Sequence, residues 1–72
     1  MTLREALKKL TERVNVEIYI IDQTGAVRSK EIANQKDLMS RIEEYDGYEV
    51  AEIGKRKYTP YLLEIYLEKK GR

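Results

Sequence analysis

The sequence contains no cysteine, histidine, tryptophan or phenylalanine. Without cysteine a chain has no disulfide framework and no thiolate nucleophile. Without cysteine and histidine it also lacks the usual zinc ligands and the main parts of catalytic triads and dyads. Its four glycines are scattered and form no phosphate-binding loop. These absences predict a protein that is not an enzyme and that holds no metal ion or cofactor.

Long apolar runs are also missing from the chain. The longest uninterrupted run has four residues, Ile18 to Ile21, whereas a membrane span needs about 20. Charged residues stand near the start of the sequence, where a signal peptide requires an apolar run. We therefore expect a cytoplasmic protein without membrane contact.

Length and charge narrow the class of protein further. The chain has 72 residues, of which 42% are apolar and 38% are charged, and this composition predicts one folded domain over residues 1–72. Lys and Arg number 14 and Asp and Glu number 13, so the net charge is +1. This balance excludes a strongly basic nucleic-acid module and a strongly acidic DNA mimic.

The spacing of apolar residues predicts two helices and four strands. Residues Leu3, Ala6, Leu7 and Leu10 follow the helical spacing, and Val16, Ile18 and Ile20 alternate as in a strand. In chain order the predicted elements are a helix over Thr2 to Arg13, strands over Val14 to Asp22 and Ala26 to Glu31, a helix over Gln35 to Tyr45, and strands over Tyr48 to Lys57 and Tyr61 to Lys69. A longer helix from Ser29 is the alternative to the weak second strand.

Local signals mark the ends of these elements. Thr2 and Glu5 match a capping box, and Asn34 is a good N-cap for the second helix. Gly25 and Gly47 stand where a left-handed backbone would end a turn and a helix. In the third strand, a bulge near Ala51 and Glu52 or a bend at Gly54 would bring Val50 and Ile53 to one face.

The element order αββαββ predicts an α+β fold with a four-stranded, mainly antiparallel sheet in the order 2-1-4-3 and both helices on one face. The two strands with the clearest alternation are expected at the centre. The predicted core consists of Leu3, Leu7, Leu10, Val16, Ile18, Ile20, Leu38, Met39, Ile42, Val50, Ile53, Leu63, Ile65 and Leu67.

All six aromatic residues are tyrosines, and two of them lie away from this core. By strand alternation Tyr19, Ile21, Leu62 and Tyr66 share the face opposite the helices, and together they predict an exposed protein interface. Ordinary cross-strand packing on a solvated face is the alternative. Sheet tyrosines can also stack RNA bases. Three glutamates share this face and repel phosphates, which favours contact with another protein or with a second copy: Glu17, Glu64 and Glu68.

Two charged segments offer further candidate sites. Residues 37–52 hold six acids and one base, a net charge of −5, and could bind a basic groove. The acidic candidates are Asp37, Glu43, Glu44, Asp46 and Glu49.

A basic hairpin tip that could contact nucleic acid is formed by Lys55, Arg56 and Lys57, beside Tyr58. Three charges make a small electrostatic footprint, so a solvated turn is the favoured interpretation and nucleic acid is not the expected partner.

Three stretches resemble small uncharacterised proteins of phages and integrative elements of Gram-positive bacteria. They are the opening Thr2 to Leu7, the strand Val16 to Asp22 and the closing Leu63 to Leu67. The resemblance is one of overall layout and specifies no site residue. It implies a host-directed accessory protein, in a neighbourhood that includes inhibitors of defence systems such as anti-CRISPR proteins.

These observations predict a small non-enzymatic protein that binds a host or phage protein, or a second copy of itself. Two alternatives stay open. One is an anti-defence inhibitor of a host nuclease complex that uses the acidic segment, and the other is a weak nucleic-acid-binding module.

Overall fold

The computed structural model describes residues 1–11, 13–55 and 62–70, with only the backbone described at residue 55. The elements follow the predicted order, with a 3-10 helix added. They are α1 (Leu3–Leu7), β1 (Asn15–Ile21), β2 (Val27–Asn34), α2 (Gln35–Ser40), a 3-10 helix (Ile42–Tyr45), β3 (Tyr48–Lys55) and β4 (Leu62–Lys69). Within these residues, no helix is long and apolar enough to cross a membrane.

The four strands form one mixed sheet in the order β2-β1-β4-β3, as the sequence predicts. The central strands β1 and β4 are parallel, while both edge strands pair antiparallel with their neighbours. Residues from both helices and the 3-10 helix join Ile18 and Ile65 in one buried cluster. All helical elements therefore cover the same face of the sheet, and the predicted α+β fold is confirmed.

Each edge strand contains one irregularity in its pairing. In β3 the register shifts between Val50 and Glu52, so that Val50 pairs with Leu67 and Ile53 with Ile65. The predicted bulge is thus confirmed, and it brings the two β3 side chains to the helix face. In β2 the register shifts beside Tyr19, which pairs with Ser29 while Ile18 pairs with Glu31.

Most of the predicted core is buried. Eight of its members are fully covered, and four more are partly buried against the cluster: Leu10, Ile20, Met39 and Val50. Ile53 is an exception, since 47% of it is exposed although it lies on the helix face. β3 is an edge strand with a neighbouring strand on one side only, and the prediction of a buried Ile53 is wrong. Leu63 is half-buried.

The helices are shorter than predicted. Thr2 and Glu5 form the expected capping box, but α1 ends at Leu7 rather than Arg13. Beyond it the backbone tightens, with the Leu10 amide donating to the Leu7 carbonyl three residues earlier at 3.0 Å. Asn34 caps α2 as predicted, its side chain accepting from the Asp37 amide at 2.7 Å. The second helix then breaks at Arg41, whose φ of −122° is not helical.

Two further expectations concern β2 and the glycines. The second strand extends to Asn34, three residues beyond the predicted end, because it pairs with β1 along its length.

Gly25 adopts the predicted left-handed conformation, with φ +88°. Gly47 does not. The segment before it ends as a 3-10 helix with Asp46 in the right-handed region, so no left-handed residue is needed there.

Burial predicts a sharp contrast between two isoleucines. Ile65 is fully buried at the centre of the sheet, whereas Ile32 is 57% exposed on an edge strand. We expect Ile65→Ala to lower the free energy of unfolding by about 2–5 kcal/mol because it leaves a cavity in a packed core. The matched Ile32→Ala variant should change it by no more than about 0.5 kcal/mol. Urea denaturation followed by circular dichroism measures both, and equal losses would contradict this core.

Candidate functional site

The sheet has a face that no helical element covers, and we call it the open face. On this face the strand register pairs acidic or aromatic residues of neighbouring strands four times: Glu17 with Glu64, Tyr19 with Tyr66, Glu49 with Glu68, and Glu52 with Tyr66. Its members are Val27, Ser29 and Ile32 on β2; Glu17, Tyr19 and Ile21 on β1; Leu62, Glu64, Tyr66 and Glu68 on β4; and Glu49, Glu52 and Gly54 on β3. The four residues predicted as an interface therefore do share one face.

A stacked pair of tyrosines lies at the centre of the open face. Tyr19 and Tyr66 are register partners on the parallel central strands, and their ring centroids are 4.7 Å apart with an interplanar angle of 13°. Both hydroxyls donate to the Glu64 carboxylate, from Tyr66 at 3.0 Å and from Tyr19 at 3.4 Å. Partial burial raises the pKa of Tyr66, and its hydrogen bond to Glu64 raises it further. The Glu64 carboxylate thus links the two hydroxyl groups of the pair.

The β2 side of the open face is apolar. Val27 is 47% exposed and Ile32 is 57% exposed. The sequence analysis placed Val27 in the second strand without assigning it to this face, and it missed Ile32 because it ended that strand at Glu31. Alternation alone would have placed Ile32 on the opposite face from Val27, since only the register shift beside Tyr19 brings the two to the same side.

Leu62 departs from the expected exposure. It lies on the open face as predicted, but only 9% of it is exposed, so the expectation that it forms part of an exposed patch is wrong. Strand alternation fixes the face on which a residue lies and not how deeply its neighbours cover it. Tyr19, Ile21 and Tyr66 are half-buried.

The β3 side of the open face is acidic. Glu49 pairs with Glu68, and Glu52 pairs with Tyr66. Glu52 and Glu68 are exposed. Glu17 lies nearer the middle, is only 6% exposed, and accepts a hydrogen bond from the Ser29 hydroxyl at 2.6 Å. Among the described strand residues, the open face carries no lysine or arginine.

A second polar cluster lies on the helix side, where Glu31 joins β2 to the second helical segment. Arg41 donates to both Glu31 carboxylate oxygens, at 2.7 and 3.2 Å. The Tyr45 hydroxyl also donates to Glu31, and the Lys30 ammonium lies 4.8 Å from the centre of the Tyr45 ring. The hydrogen bonds from Arg41 lower the pKa of Glu31 to about 2. Burial raises the pKa of Tyr45, and its contact with Glu31 adds to that shift.

The acidic candidates do not form one surface. Arg41 binds Asp37 at 3.0 Å and Glu44 at 3.3 Å, so these carboxylates are partly neutralised within the chain. Asp46 lies 3.9 Å from Arg4. Glu43 is exposed on the 3-10 helix, while Glu49 lies on the open face.

The basic candidates fall mostly beyond what the structure describes. Lys55 is the last residue of β3, with its side chain outside the described part. Arg56, Lys57 and Tyr58 lie outside it entirely, and so does Tyr61, the first residue of the predicted fourth strand. These candidates stay predictions.

An open groove of about 850 Å³ lies at one end of the sheet, between the β1–β2 turn and the start of β3. Its turn carboxylate, Asp22, accepts hydrogen bonds from the Thr24 hydroxyl and amide and from the Ala26 amide. These bonds hold the turn in place and lower the pKa of Asp22. In the described part of the chain, no group of three or more acidic residues is arranged to hold a metal ion.

Comparisons with protein-family models, with curated proteins and with solved structures find no match to this chain. The geometry of the open face and the helix-side cluster is therefore the basis for a functional proposal.

The Glu31–Arg41 contact predicts a defined pH dependence of stability. The folded pKa of Glu31, about 2, lies below its ordinary value of 4.5. The contribution of the ionised Glu31 carboxylate to the free energy of unfolding is therefore fully present above about pH 4.5 and is lost as the pH falls towards 2. We expect the wild type to lose more stability than Glu31→Gln over this interval, as measured by urea midpoints. The control Glu43→Gln, at an exposed carboxylate, should follow the wild type, and a Glu31→Gln profile parallel to the wild type would contradict the assignment.

Proposed function

We propose that this chain is a non-enzymatic binding protein that acts by docking on a partner protein through the open face. The stacked Tyr19–Tyr66 pair, set between exposed aliphatic side chains and an acidic edge, carries the proposal. Tyrosine is enriched in protein interfaces because it offers a large rigid area with one polar end. The resemblance to proteins of phages and integrative elements makes a host protein the expected partner.

The charge of the open face argues against a face-to-face homodimer. Such a dimer would double the number of carboxylates in one interface, and like charges that face each other cost free energy. A partner of different composition avoids that cost. The proposal is therefore a heterologous complex.

The same charge argues against nucleic acid on this face. A stacking platform for bases needs cationic groups near the phosphates. Here the described strand positions around the tyrosines carry glutamates, namely Glu52, Glu64 and Glu68. Protein contact is the better supported use of the aromatic pair.

The acidic segment offers weaker support for an anti-defence inhibitor. Its carboxylates at Asp37 and Glu44 already bind Arg41, and Asp46 lies beside Arg4. A basic groove on a partner would have to compete with these internal contacts. We therefore place the binding surface on the open face.

The decisive test is a pair of open-face variants. We expect Tyr19→Ala with Tyr66→Ala to stay folded by circular dichroism and to lose the partner that the tagged wild type captures from a lysate of its host. A second variant, Val27→Thr with Ile32→Thr, changes only exposed positions and should weaken capture of the same protein. Light scattering on the wild type should show a monomer.

The control for this test is Ile53→Thr, which changes an equally exposed side chain on the helix face. It should retain the partner. If both open-face variants bind the partner as the wild type does, the open face is not the interface. A tyrosine variant that unfolds, together with a Val27 and Ile32 variant that keeps full binding, would assign the tyrosines to packing alone.

A separate experiment addresses the basic run. We expect no salt-dependent binding of mixed DNA or RNA at near-physiological salt, because three cations release few counterions. Fluorescence anisotropy with labelled oligonucleotides measures this. Sub-micromolar binding that weakens steeply with salt and disappears in the variant Lys55→Ala, Arg56→Ala, Lys57→Ala would instead support a nucleic-acid-binding module.

A further inference from the structure

We propose that the open face binds an arginine side chain of its partner protein against the Tyr66 ring, between carboxylates supplied by β3 and β4. This inference rests on the proposed function, since it names the chemistry of the partner at the same surface. It commits to a guanidinium group presented by another protein.

Because β4 lies between β1 and β3 in the sheet, one face of the Tyr66 ring is directed towards β3. The Tyr19 ring stacks on the other side, because Tyr19 is on β1 and β1 is the opposite neighbour of β4. On the β3 side, the register partner of Tyr66 is Glu52. A planar cation on this side could therefore stack on the face of the Tyr66 ring and lie next to the Glu52 carboxylate.

Further carboxylates border this position. Glu64 reaches the Tyr66 hydroxyl at 3.0 Å, and its register partner on β3 is Gly54, which has no side chain to cover it. A Cβ atom built on Gly54 would lie 4.0 Å from Glu64 Oε1, so the carboxylate extends over the glycine. Glu68, two residues after Tyr66, lies on the same face and is exposed. Glu52 on β3 and Glu68 on β4 are thus the two exposed carboxylates near the Tyr66 ring.

Arginine fits this arrangement better than lysine. Its planar guanidinium stacks on an aromatic ring and donates to carboxylates at the same time, whereas an ammonium is a compact and strongly hydrated charge. The exposed Val27 and Ile32 extend the surface on the β2 side. The matching partner surface thus carries an arginine next to apolar residues.

The probe is a twelve-residue peptide of alternating arginine and glycine, compared with the same peptide carrying citrulline or lysine in place of arginine. Citrulline keeps the planar shape and loses the charge. In nuclear magnetic resonance titrations we expect the arginine peptide to shift backbone signals of β3 and β4 around Glu52 and Tyr66. The lysine peptide should bind more weakly, and the citrulline peptide should cause no comparable shifts.

Matched variants locate the site. Glu52→Gln with Glu68→Gln removes two exposed carboxylates from the open face and should weaken arginine-peptide binding roughly fivefold or more. Glu43→Gln with Glu44→Gln removes the same charge from the 3-10 helix and should leave the affinity unchanged. Tyr66→Leu should weaken binding, whereas Tyr66→Phe, which keeps the ring face, should retain most of it.

Three results would overturn the proposal. Equal binding of the citrulline peptide would show that charge does not select the ligand. A larger loss in the Glu43 and Glu44 variant than in the Glu52 and Glu68 variant would place the cation site on the acidic segment. Unchanged binding of the arginine peptide to the Tyr66→Leu variant would show that the ring takes no part in the site.

Failure of this inference and failure of the proposed function are distinguishable. If Tyr19→Ala with Tyr66→Ala abolishes capture of the partner while the citrulline peptide binds as well as the arginine peptide, the docking face stands and the arginine assignment fails. If capture is unaffected by the open-face variants, the proposed function itself fails.

Discussion

The parallel pairing of β1 with β4 is the constraint on which the rest of this structure depends. It places Ile18 beside Ile65 on one face and Tyr19 beside Tyr66 on the other. A shift of either strand by one residue would exchange the two faces of that strand and bury its tyrosine under the helices. Complete burial of the isoleucine pair fixes the register, and the fixed register stacks the tyrosine rings at 4.7 Å. The candidate binding surface is thus a consequence of how the core packs.

Strand alternation was enough to predict the sheet order and the face on which Tyr19 and Tyr66 lie, because both properties follow from which side chains must leave water. Burial depth was not predictable in the same way. Leu62 and Ile53 have opposite outcomes from similar patterns, since Leu62 lies on a central strand and is 9% exposed while Ile53 lies on an edge strand and is 47% exposed. Such coverage depends on tertiary packing, which a single strand's sequence does not encode.

The break in the second helix has a specific cause in side-chain chemistry. Apolar spacing predicted a continuous helix to Tyr45, but Arg41 leaves the helical conformation and binds Glu31 with two hydrogen bonds. That contact ties the edge strand β2 to the helical layer. Two charged residues ten positions apart carry no periodic signal, and so the sequence alone did not indicate their pairing. The same attraction explains why the acidic segment does not present one continuous negative surface.

The two faces of the sheet consequently have different physical roles. Apolar burial, the capping box and the Arg41 contacts all act on the helix face, where they stabilise a domain that is small enough for each to matter. The open face contributes stacked tyrosines, exposed aliphatic side chains and the exposed carboxylates Glu52 and Glu68. Under the proposed function, a cationic group of the partner would lie beside these two carboxylates and offset their mutual repulsion.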